Sequence, residues 1–418
     1  MPIDQQELGR RLRQAREGCG LTQEEVADEL GLSRPTIAQM ELGNRAVTSL
    51  ELDRLAYLYG RDIREFLSDD FEQDDVLQAL FRSQPEAGRD GVKKALRDCI
   101  ALGHELTHLE GLLGLARVSA SIATYAFGPP KSKWDAIQSG TMVAREERRR
   151  LGLGDGPISD MVCLLENQGV RTGTVSMPNE VSGLTITHPK VGLFVAINAD
   201  HPAVRQRFSW CHEYAHVLLD RSIGGRISST DDRSDLIEVR ANSFAADFLM
   251  PEEGVRQFIG AMGKGESSRI HAEIFDEAGV VPVDARTEPG SQELQLYDVV
   301  PLAHFFGVSV LSALYRLRNL RLLSEEQFER LKSQDQEGRS LQVQALLGLP
   351  APTAEQANEF TRRFLSLGLE AYRRERISRS KLLELGARVG VVPGDMSRLV
   401  ESSGLDEEAP EPALLPDS

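Results

Sequence analysis

The segments of this chain with the clearest chemical potential are two copies of one pattern, His-Glu-x-x-His, at residues 104–108 and 212–216. On a helix, residues four apart share a face, so each copy would place two imidazoles side by side with a carboxylate next to them. Two such imidazoles and a third protein ligand can bind a catalytic zinc, with the glutamate as general base. Each copy is therefore a candidate metal site, and the surrounding sequence decides between them.

The second copy is followed by a candidate third ligand. A turn-rich segment, GGRISSTDDRSD, lets the chain reverse, and LIEVRANSFAADFLMP predicts a helix that can lie against the first. Glu238 in that helix is placed to face His212 and His216, and Asp247, nine residues further along, is the alternative ligand. We therefore expect His212, His216 and Glu238 to hold a metal, with Glu213 as the base. The alternative is a core helix whose histidines are satisfied by hydrogen bonds.

The first copy lacks such a partner. Glu110 is too close in the chain to arrive from a second helix, and residues 111–134 contain no Asp, Glu or His. We therefore interpret His104 and His108 as one face of a packed helix.

The second copy and its following helix resemble the ImmA/IrrE metallopeptidase family. RQRFSWCHEYAHVLLD and EVRANSFAADFLMP are similar to the family patterns RxxFxxxHExxHxxL and ExxANxFAxxxLMP, and the similarity covers roughly residues 134–251. The resemblance implies a zincin-like domain with Zn²⁺ on the three ligands named above, the same glutamate as general base, and cleavage of a specific DNA-binding repressor. It also makes Asn242 a residue that orients a ligand, although a buried structural amide is an equal alternative.

Trp210, Cys211, Tyr214 and Ala215 depart from the family pattern, which more often has small residues and HELGH at these positions. Cys211 precedes the first histidine, but neighbouring side chains on a helix diverge by about 100°, so we do not expect it to reach the metal. Tyr214 follows the base, and we expect its side chain to point elsewhere.

The N-terminal residues 8–67 resemble the XRE (Cro/cI-like) helix-turn-helix family through TQEEVADELGLSRPTIAQMELGNR. Thr22 and Glu25 form a potential capping box, and Ser33 caps the next helix. Arginine and glutamine can make bidentate contacts to purines in the major groove. The resemblance implies a phosphate contact from Gln23, base contacts from Arg34, Thr36 and Gln39, and a place near the DNA backbone for Arg45. A helical protein-interaction module is the alternative.

The charge of this N-terminal segment limits nonspecific DNA attraction. Residues 1–67 contain 9 Arg and no Lys against 12 Asp and Glu, although Arg10, Arg11, Arg13 and Arg16 cluster on the first predicted helix. Specific binding would therefore depend on base contacts. Domains of this kind usually bind DNA as dimers, so we expect a homodimer on a double-stranded operator.

The elements between the motifs predict a mostly α protein with a small β-sheet (α+β). GVRTGTV, GLTIT and VGLFVAIN predict strands, and GLFVAIN could supply the edge beside which an extended peptide lies. Residues 262–293, rich in Gly, Pro and charge, predict a long loop or insertion. The expected units are a helix-turn-helix domain at 1–68, a helical linker region at 69–130, a metallopeptidase domain at 131–260, a helical C-terminal region at 261–402 and a disordered acidic tail at 403–418.

Composition places few further limits on function. The net charge of -16 argues against bulk adhesion to nucleic acid or anionic membranes. The four cysteines are scattered without a CxxC pair, which favours reduced thiols. No apolar run approaches the roughly 20 residues of a membrane helix, and no signal peptide is recognisable. We therefore expect a cytoplasmic protein without a membrane partner.

Three functions remain open from the sequence. The first is a DNA-binding regulatory zinc endopeptidase that cleaves a specific protein, such as a transcriptional repressor or an antitoxin, in a stress, mobile-element or defence response. The second is a transcriptional regulator whose peptidase-like domain only senses a ligand or metal. The third is a component of a toxin–antitoxin or phage-defence pair, which differs from the first in physiology and not in chemistry.

Overall fold

A computed structural model describes residues 3–69, 71, 90–115, 122–188, 191–221, 225–229, 234–264, 269–276, 279–286, 292–353 and 358–403. Within these ranges the chain is mostly helical, with one four-stranded sheet and one two-stranded hairpin, which confirms the expected α+β class. The helices are α1 (Gln5–Gly18), α2 (Gln23–Leu30), α3 (Arg34–Glu41), α4 (Ser49–Leu58), α5 (Ile63–Leu67), α6 (Asp90–Leu112), α7 (Lys133–Arg150), α8 (Met161–Asn167), α9 (Ala203–Leu219), α10 (Leu236–Leu249), α11 (Glu252–Ala261), α12 (Leu296–Phe306), α13 (Val310–Asn319), α14 (Glu325–Gln336), α15 (Arg339–Leu346), α16 (Asn358–Arg373), α17 (Arg379–Arg388) and α18 (Pro393–Ser402). The strands are β1 (Arg171–Val175), β2 (Val181–His188), β3 (Gly192–Asn198), β4 (Gly225–Ser229), β5 (Arg269–Asp276) and β6 (Gly279–Arg286).

The first five helices form the expected N-terminal bundle, and local sequence signals set the boundaries of α2 and α3. Thr22 and Glu25 make both hydrogen bonds of a capping box at the start of α2. The helix ends at Gly31, whose φ of +67° lies in the left-handed region that glycine tolerates. Ser33 caps α3, with a proline in the first turn. These features confirm the predicted helix-turn-helix.

The four-stranded sheet has the order β1-β3-β2-β4. Strands β1 and β3 are parallel, whereas β2 is antiparallel to both β3 and β4. The three predicted strands are confirmed as β1, β2 and β3. The expectation that GLFVAIN forms an edge is wrong, because β3 lies between β1 and β2 and both sides of its backbone are paired. In the described part of the chain, the edge next to β2 is β4.

The sheet separates two apolar cores because side chains alternate along each strand. On β3, Phe194 and Ala196 join a core with α6, α16 and the N-terminal bundle. Val195 and Ile197 join the opposite core with α9, α10 and α12 to α14. The helix-turn-helix bundle therefore shares a continuous apolar core with one face of the sheet, and the second His-Glu-x-x-His motif lies on the other face.

Two segments expected to be turns or loops are strands. Residues 225–229, within the segment interpreted as a turn, form β4 against β2. Residues 269–286, within the expected 262–293 loop, form the antiparallel hairpin of β5 and β6. In both cases the backbone hydrogen bonds come from a pairing partner, and the Gly, Ser and Pro content that suggested loops did not prevent pairing.

The remaining segments agree in outline with the expected helices. Helix α6 is the one regular element described between 69 and 130. Ala303 and Phe306 of α12, Leu314 of α13 and Val308 between these helices are buried in the core. Most of the acidic tail, 404–418, and much of the turn-rich 69–90 segment lie outside the described residues. No single described helix has the length and apolar character of a membrane span, although α12 and α13, bent by 103°, meet that test as a pair.

Candidate metal centre

Helix α9 carries the second His-Glu-x-x-His motif in the interior of the molecule. His212 and His216 are one helical turn apart, with ring centroids 4.9 Å from each other, and they are 5% and 1% exposed. Glu213 is fully buried. Helix α9 follows β3 after a short connection, so the sheet fixes the direction in which the helix presents these side chains.

Helix α10 brings Glu238 to the two histidines. Asp235 caps this helix by accepting a hydrogen bond from the Ile237 backbone N–H, which places Glu238 in the first turn. Glu238 Oε2 lies 2.9 Å from His212 Nε2, and Glu238 Oε1 lies 3.5 Å from His216 Nε2. The two Nε2 atoms are 3.2 Å apart.

These distances fit a single tetrahedral zinc. Ligand atoms about 2.0–2.1 Å from one tetrahedral ion lie roughly 3.3 Å from each other. The separation of 3.2 Å between the two Nε2 atoms is close to that value, and each histidine has one oxygen of Glu238 within 3.5 Å. Among the described residues, His212, His216 and Glu238 are the one group of three His, Cys, Asp or Glu side chains whose ligand atoms converge in this way. The donor set, two imidazoles and a carboxylate, also suits zinc.

The outer nitrogen of each histidine has an oxygen acceptor. His212 Nδ1 lies 3.0 Å from Asn242 Oδ1, and His216 Nδ1 lies 2.9 Å from Asp220 Oδ2. Arg240 in turn donates to Asp220 Oδ1 at 2.6 Å. Since Nδ1 carries the hydrogen in these contacts, Nε2 is left to act as the metal ligand. Asn242 is exposed, so it is not a buried structural amide.

The two carboxylate oxygens of Glu213 have different surroundings. Oε2 accepts a hydrogen bond from the Thr185 hydroxyl at 2.7 Å. Oε1 is buried and has no hydrogen-bond partner among the described residues. A Cβ at Gly183 would lie 2.8 Å from Oε1, so glycine leaves room for this oxygen. A buried unpaired carboxylate oxygen is costly and marks a position where a proton donor belongs.

Arg226 on β4 binds the third candidate ligand from the sheet side. Its Nε donates to Glu238 Oε1 at 2.5 Å, and its guanidinium also pairs with Asp235. In the β2–β4 register Arg226 lies opposite Thr185, so both side chains project from the same face of the sheet. Neither residue can be recognised from the sequence, because nothing local to Arg226 or Thr185 shows that it borders the motif.

The electrostatic field of this site favours positive charge. Burial alone would lower the pKa of His216, but hydrogen bonds to Asp220 and Glu238 raise it well above its usual value. Burial would raise the pKa of Glu238, but hydrogen bonds with His212 and His216 hold that pKa well below its usual value. The same carboxylates would stabilise a divalent cation bound between these side chains.

Comparison with known families agrees with this arrangement. Residues 165–318 match the IrrE N-terminal-like domain, a peptidase family, and residues 7–66 match a helix-turn-helix domain. The chain joins a DNA-binding helix-turn-helix domain to an IrrE-like peptidase domain. No curated protein matches this chain in sequence. The peptidase match includes all of α9 and α10, and members of that family are typically zinc metallopeptidases.

Within the IrrE-like domain, Asp247 and Cys211, the other residues considered as metal ligands, lie away from the histidines. Asp247 forms ion pairs with Arg316 at 2.8 Å and Arg145 at 3.6 Å, on the C-terminal half of α10. Cys211 is buried, and its closest hydrogen-bond partner is the Ala245 carbonyl, 3.9 Å away. Neither residue belongs to the convergent group.

Tyr214 also points away from the candidate site, as expected. Its hydroxyl donates to the buried Glu147, which further accepts from Tyr125 at 2.9 Å and pairs with Arg150 at 2.6 Å. The hydroxyl is thus committed to a network behind α9, and no oxyanion contact can be assigned to it.

The first His-Glu-x-x-His copy, on α6, faces a different environment from the IrrE-like site. Glu105 pairs with Lys381 at 2.8 Å, and His104 and His108 border a small cavity shared with Asp62 and Arg64 of the N-terminal bundle. Burial lowers the pKa of His108. Within the described residues no third metal-ligating side chain converges on these histidines.

On the helix-turn-helix domain, the residues expected to read DNA differ in their availability. Arg34 and Gln39 of α3 are exposed, whereas Thr36 is half-buried and lies 2.9 Å from the capping Ser33 hydroxyl. Gln23 Nε2 donates to Glu41 at 2.9 Å, and Arg45 pairs with Glu51 at 2.8 Å.

The arginine cluster on α1 is not a continuous basic surface. Arg16 is buried and pairs with Glu41 at 2.6 Å, and Arg11 is buried and donates to backbone carbonyls at the end of α5. Arg10 and Arg13 are exposed, but each pairs with a glutamate on the same helix. Arg11 and Arg16 therefore connect elements of the bundle, and all four arginines already have protein partners.

Proposed function

We propose that this protein is a DNA-binding regulatory zinc endopeptidase that cleaves a specific protein, a transcriptional repressor or an antitoxin. The observation that carries the proposal is the convergence of His212, His216 and Glu238 beside Glu213, whose Oε1 is buried without a partner among the described residues. A domain that only senses a ligand or metal has no need for a base held in this position. The association with stress, mobile-element or defence responses follows from the family resemblance.

Each residue has a distinct part in the proposed reaction. His212, His216 and Glu238 would hold the zinc, which when bound supplies Lewis-acid activation of a water molecule and of the scissile carbonyl. Glu213 Oε1 takes the proton from the attacking water and later delivers it to the nitrogen of the leaving amine. Thr185 binds the other oxygen and keeps the carboxylate oriented during both transfers.

The surrounding hydrogen bonds would set the geometry of the zinc ligands. Asn242 and Asp220 hold the two imidazoles through Nδ1, and Arg226 holds Glu238 Oε1. We propose that Arg226 leaves Glu238 Oε2 directed toward the metal and fixes β4 to the start of α10. Partners of this kind typically change metal affinity or activity by about ten- to a hundredfold.

The helix-turn-helix domain would direct the peptidase to an operator. Arg34 and Gln39 are the exposed side chains of α3 that could reach base edges, and the half-buried Thr36 borders them. Gln23 would contact a phosphate and Arg45 would lie near the DNA backbone, and each holds a glutamate in this structure. We propose that the two domains span residues 1–68 and 131–260 and that a homodimer is the DNA-binding form.

The proposed activity can be tested on all the proteins of a cell at once, so the substrate need not be identified beforehand. Wild type, Glu213→Gln and the matched control Glu105→Gln are expressed in the same cells, and new protein N-termini are enriched and identified by mass spectrometry. The proposal predicts one or a few N-termini that appear with wild type and Glu105→Gln but not with Glu213→Gln, while all three proteins retain zinc. Identical N-termini in all three samples would overturn the peptidase assignment and favour the sensing regulator.

A further inference from the structure

Ser228 on β4 is a second buried polar group near the proposed base. It is 1% exposed, and its Oγ has no hydrogen-bond partner among the described residues. A hydroxyl has one hydrogen to donate and two lone pairs that can accept, and a buried polar atom that makes no hydrogen bond is costly. The Ser228 hydroxyl therefore marks a position for a polar group that the described part of the folded chain does not supply.

The pairing of β4 with β2 places this hydroxyl on the face of the sheet that carries the candidate metal centre. Ser228 lies opposite Gly183 in the register of the two strands. Ile227, the residue before it, belongs to the core on the other face, so alternation along the strand directs Ser228 toward α9. Arg226, two residues before Ser228, follows the same alternation and donates to Glu238.

Gly183 keeps the position between this hydroxyl and Glu213 without a side chain. A Cβ at Gly183 would lie 2.8 Å from Glu213 Oε1, and the Cβ atoms of directly opposed residues in antiparallel strands are about 4.5–5.5 Å apart. The Ser228 Cβ is therefore within about 8 Å of Glu213 Oε1. The two oxygens are not hydrogen-bonded to each other, since each has no partner among the described residues.

A water molecule suits these two oxygens better than a larger ligand. Both residues are buried, and internal waters typically contact two to four polar groups that would otherwise have no partner. A carboxylate oxygen only accepts, and a hydroxyl oxygen can also accept, so a water between them can donate one hydrogen to each. Such a water keeps the lone pairs of its own oxygen for other contacts.

We propose that Ser228 is a further catalytic residue, whose Oγ accepts one hydrogen of the attacking water while Glu213 Oε1 accepts the other. This role rests on the peptidase function proposed above. With both hydrogens bound, a lone pair of the water oxygen can be directed at the carbonyl carbon of the scissile peptide bond.

The proton movements involve Glu213 and not Ser228. As the carbon–oxygen bond forms, one hydrogen of the water moves to Glu213 Oε1, and it passes to the leaving nitrogen as the carbon–nitrogen bond breaks. The other hydrogen stays on the oxygen that becomes part of the product carboxyl group. Ser228 keeps its own hydrogen throughout and acts by orienting the water.

The water site can be tested without any cleavage, in crystal structures of the metal-free protein. Wild type should contain an ordered water within hydrogen-bond distance of both Ser228 Oγ and Glu213 Oε1, and Ser228→Ala should lose or displace it. Because no described residue bonds the hydroxyl, Ser228→Ala should not lower the unfolding temperature. A wild-type structure without a water that contacts both oxygens, or a clear loss of stability in Ser228→Ala, would overturn the proposal.

Kinetics test the catalytic role on the protein whose new N-terminus depends on Glu213. Ser228→Ala should lower kcat about ten- to a hundredfold, with KM and zinc content unchanged. The matched control is Ser139→Ala, a buried serine on α7 whose hydroxyl already donates to the Asp135 carbonyl at 2.8 Å. Equal kcat in wild type and Ser228→Ala, or equal losses in the two variants, would contradict the role of Ser228. If wild type produces no N-terminus that depends on Glu213, the peptidase function itself fails, and the catalytic role fails with it whatever the crystal structures show.

Discussion

Thr185 on β2 donates its hydroxyl hydrogen to Glu213 Oε2 at 2.7 Å, and the other oxygen of that carboxylate is buried and unpaired among the described residues. The pair joins a central strand of the sheet to the helix that bears both histidines. It holds one oxygen of the proposed base and leaves the second for a proton from water. The arrangement of strand, helix and base therefore depends on a contact between residues 28 positions apart in sequence.

Replacing Thr185 by Val should impair the proposed base without removing the metal. The isosteric valine removes the hydrogen-bond donor and leaves both oxygens of Glu213 buried and unpaired, so we expect cleavage to fall by roughly ten- to a hundredfold. The rate is measured on the protein whose new N-terminus depends on Glu213. Thr185→Ser should restore most of the rate, and zinc content should stay constant. A wild-type rate for Thr185→Val would refute the positioning role.

Arg226→Gln should weaken zinc binding because Glu238 loses the partner that fixes its orientation. We expect the zinc dissociation constant to rise by about ten- to a hundredfold, measured by competition with a chromophoric chelator. Arg145→Gln is the matched control, since Arg145 is half-exposed and pairs with carboxylates that are not in the convergent group. Equal zinc affinity in both variants and wild type would show that β4 does not support the site.

Thiol reactivity should distinguish the exposed cysteine from the three buried ones. Burial raises the pKa of Cys99 and of Cys211 far above the usual thiol value, and Cys19 is also buried. Since the thiolate is the reactive form, a thiol reagent at neutral pH should titrate one group, Cys163, in the folded protein. All four should react in denaturant. Rapid modification of Cys211 in the native protein would contradict the packing of α9 against α10.

Specific DNA binding should depend on the exposed face of α3. Arg34→Ala combined with Gln39→Ala should weaken binding to the protein's own promoter region by at least about tenfold, since each base contact typically contributes about 1–3 kcal/mol. Arg339→Ala, an exposed arginine on α15, serves as the control for loss of positive charge. The measurement is a mobility-shift titration at fixed salt. Unchanged binding of the double variant would exclude α3 as the recognition helix.

Features governed by local sequence could be predicted. The capping residues Thr22 and Ser33 mark the starts of α2 and α3, and the four-residue spacing of His212 and His216 is enough to indicate a shared helical face. The position of Glu238 could also be predicted from the sequence, because a helix that reverses against α9 must present its first turn to one end of the motif.

Features governed by long-range pairing could not be predicted. Residues 225–229 are a strand only because β2 accepts them, and Arg226 reaches Glu238 only because of that pairing. The central place of β3 likewise follows from strand order, which the individual strand sequences do not encode. Thr185 could not be identified from the sequence for the same reason. Its role depends on the strand that carries it and on the helix that packs against that strand.

The most direct test of the central claim is the zinc content per chain of wild type, His216→Ala and His104→Ala, measured in parallel by atomic emission after dialysis. The convergence of His212, His216 and Glu238 predicts about one zinc in wild type and in His104→Ala, and almost none in His216→Ala. Zinc retained by His216→Ala, or lost from His104→Ala, would contradict the assignment of the metal centre to α9 and α10.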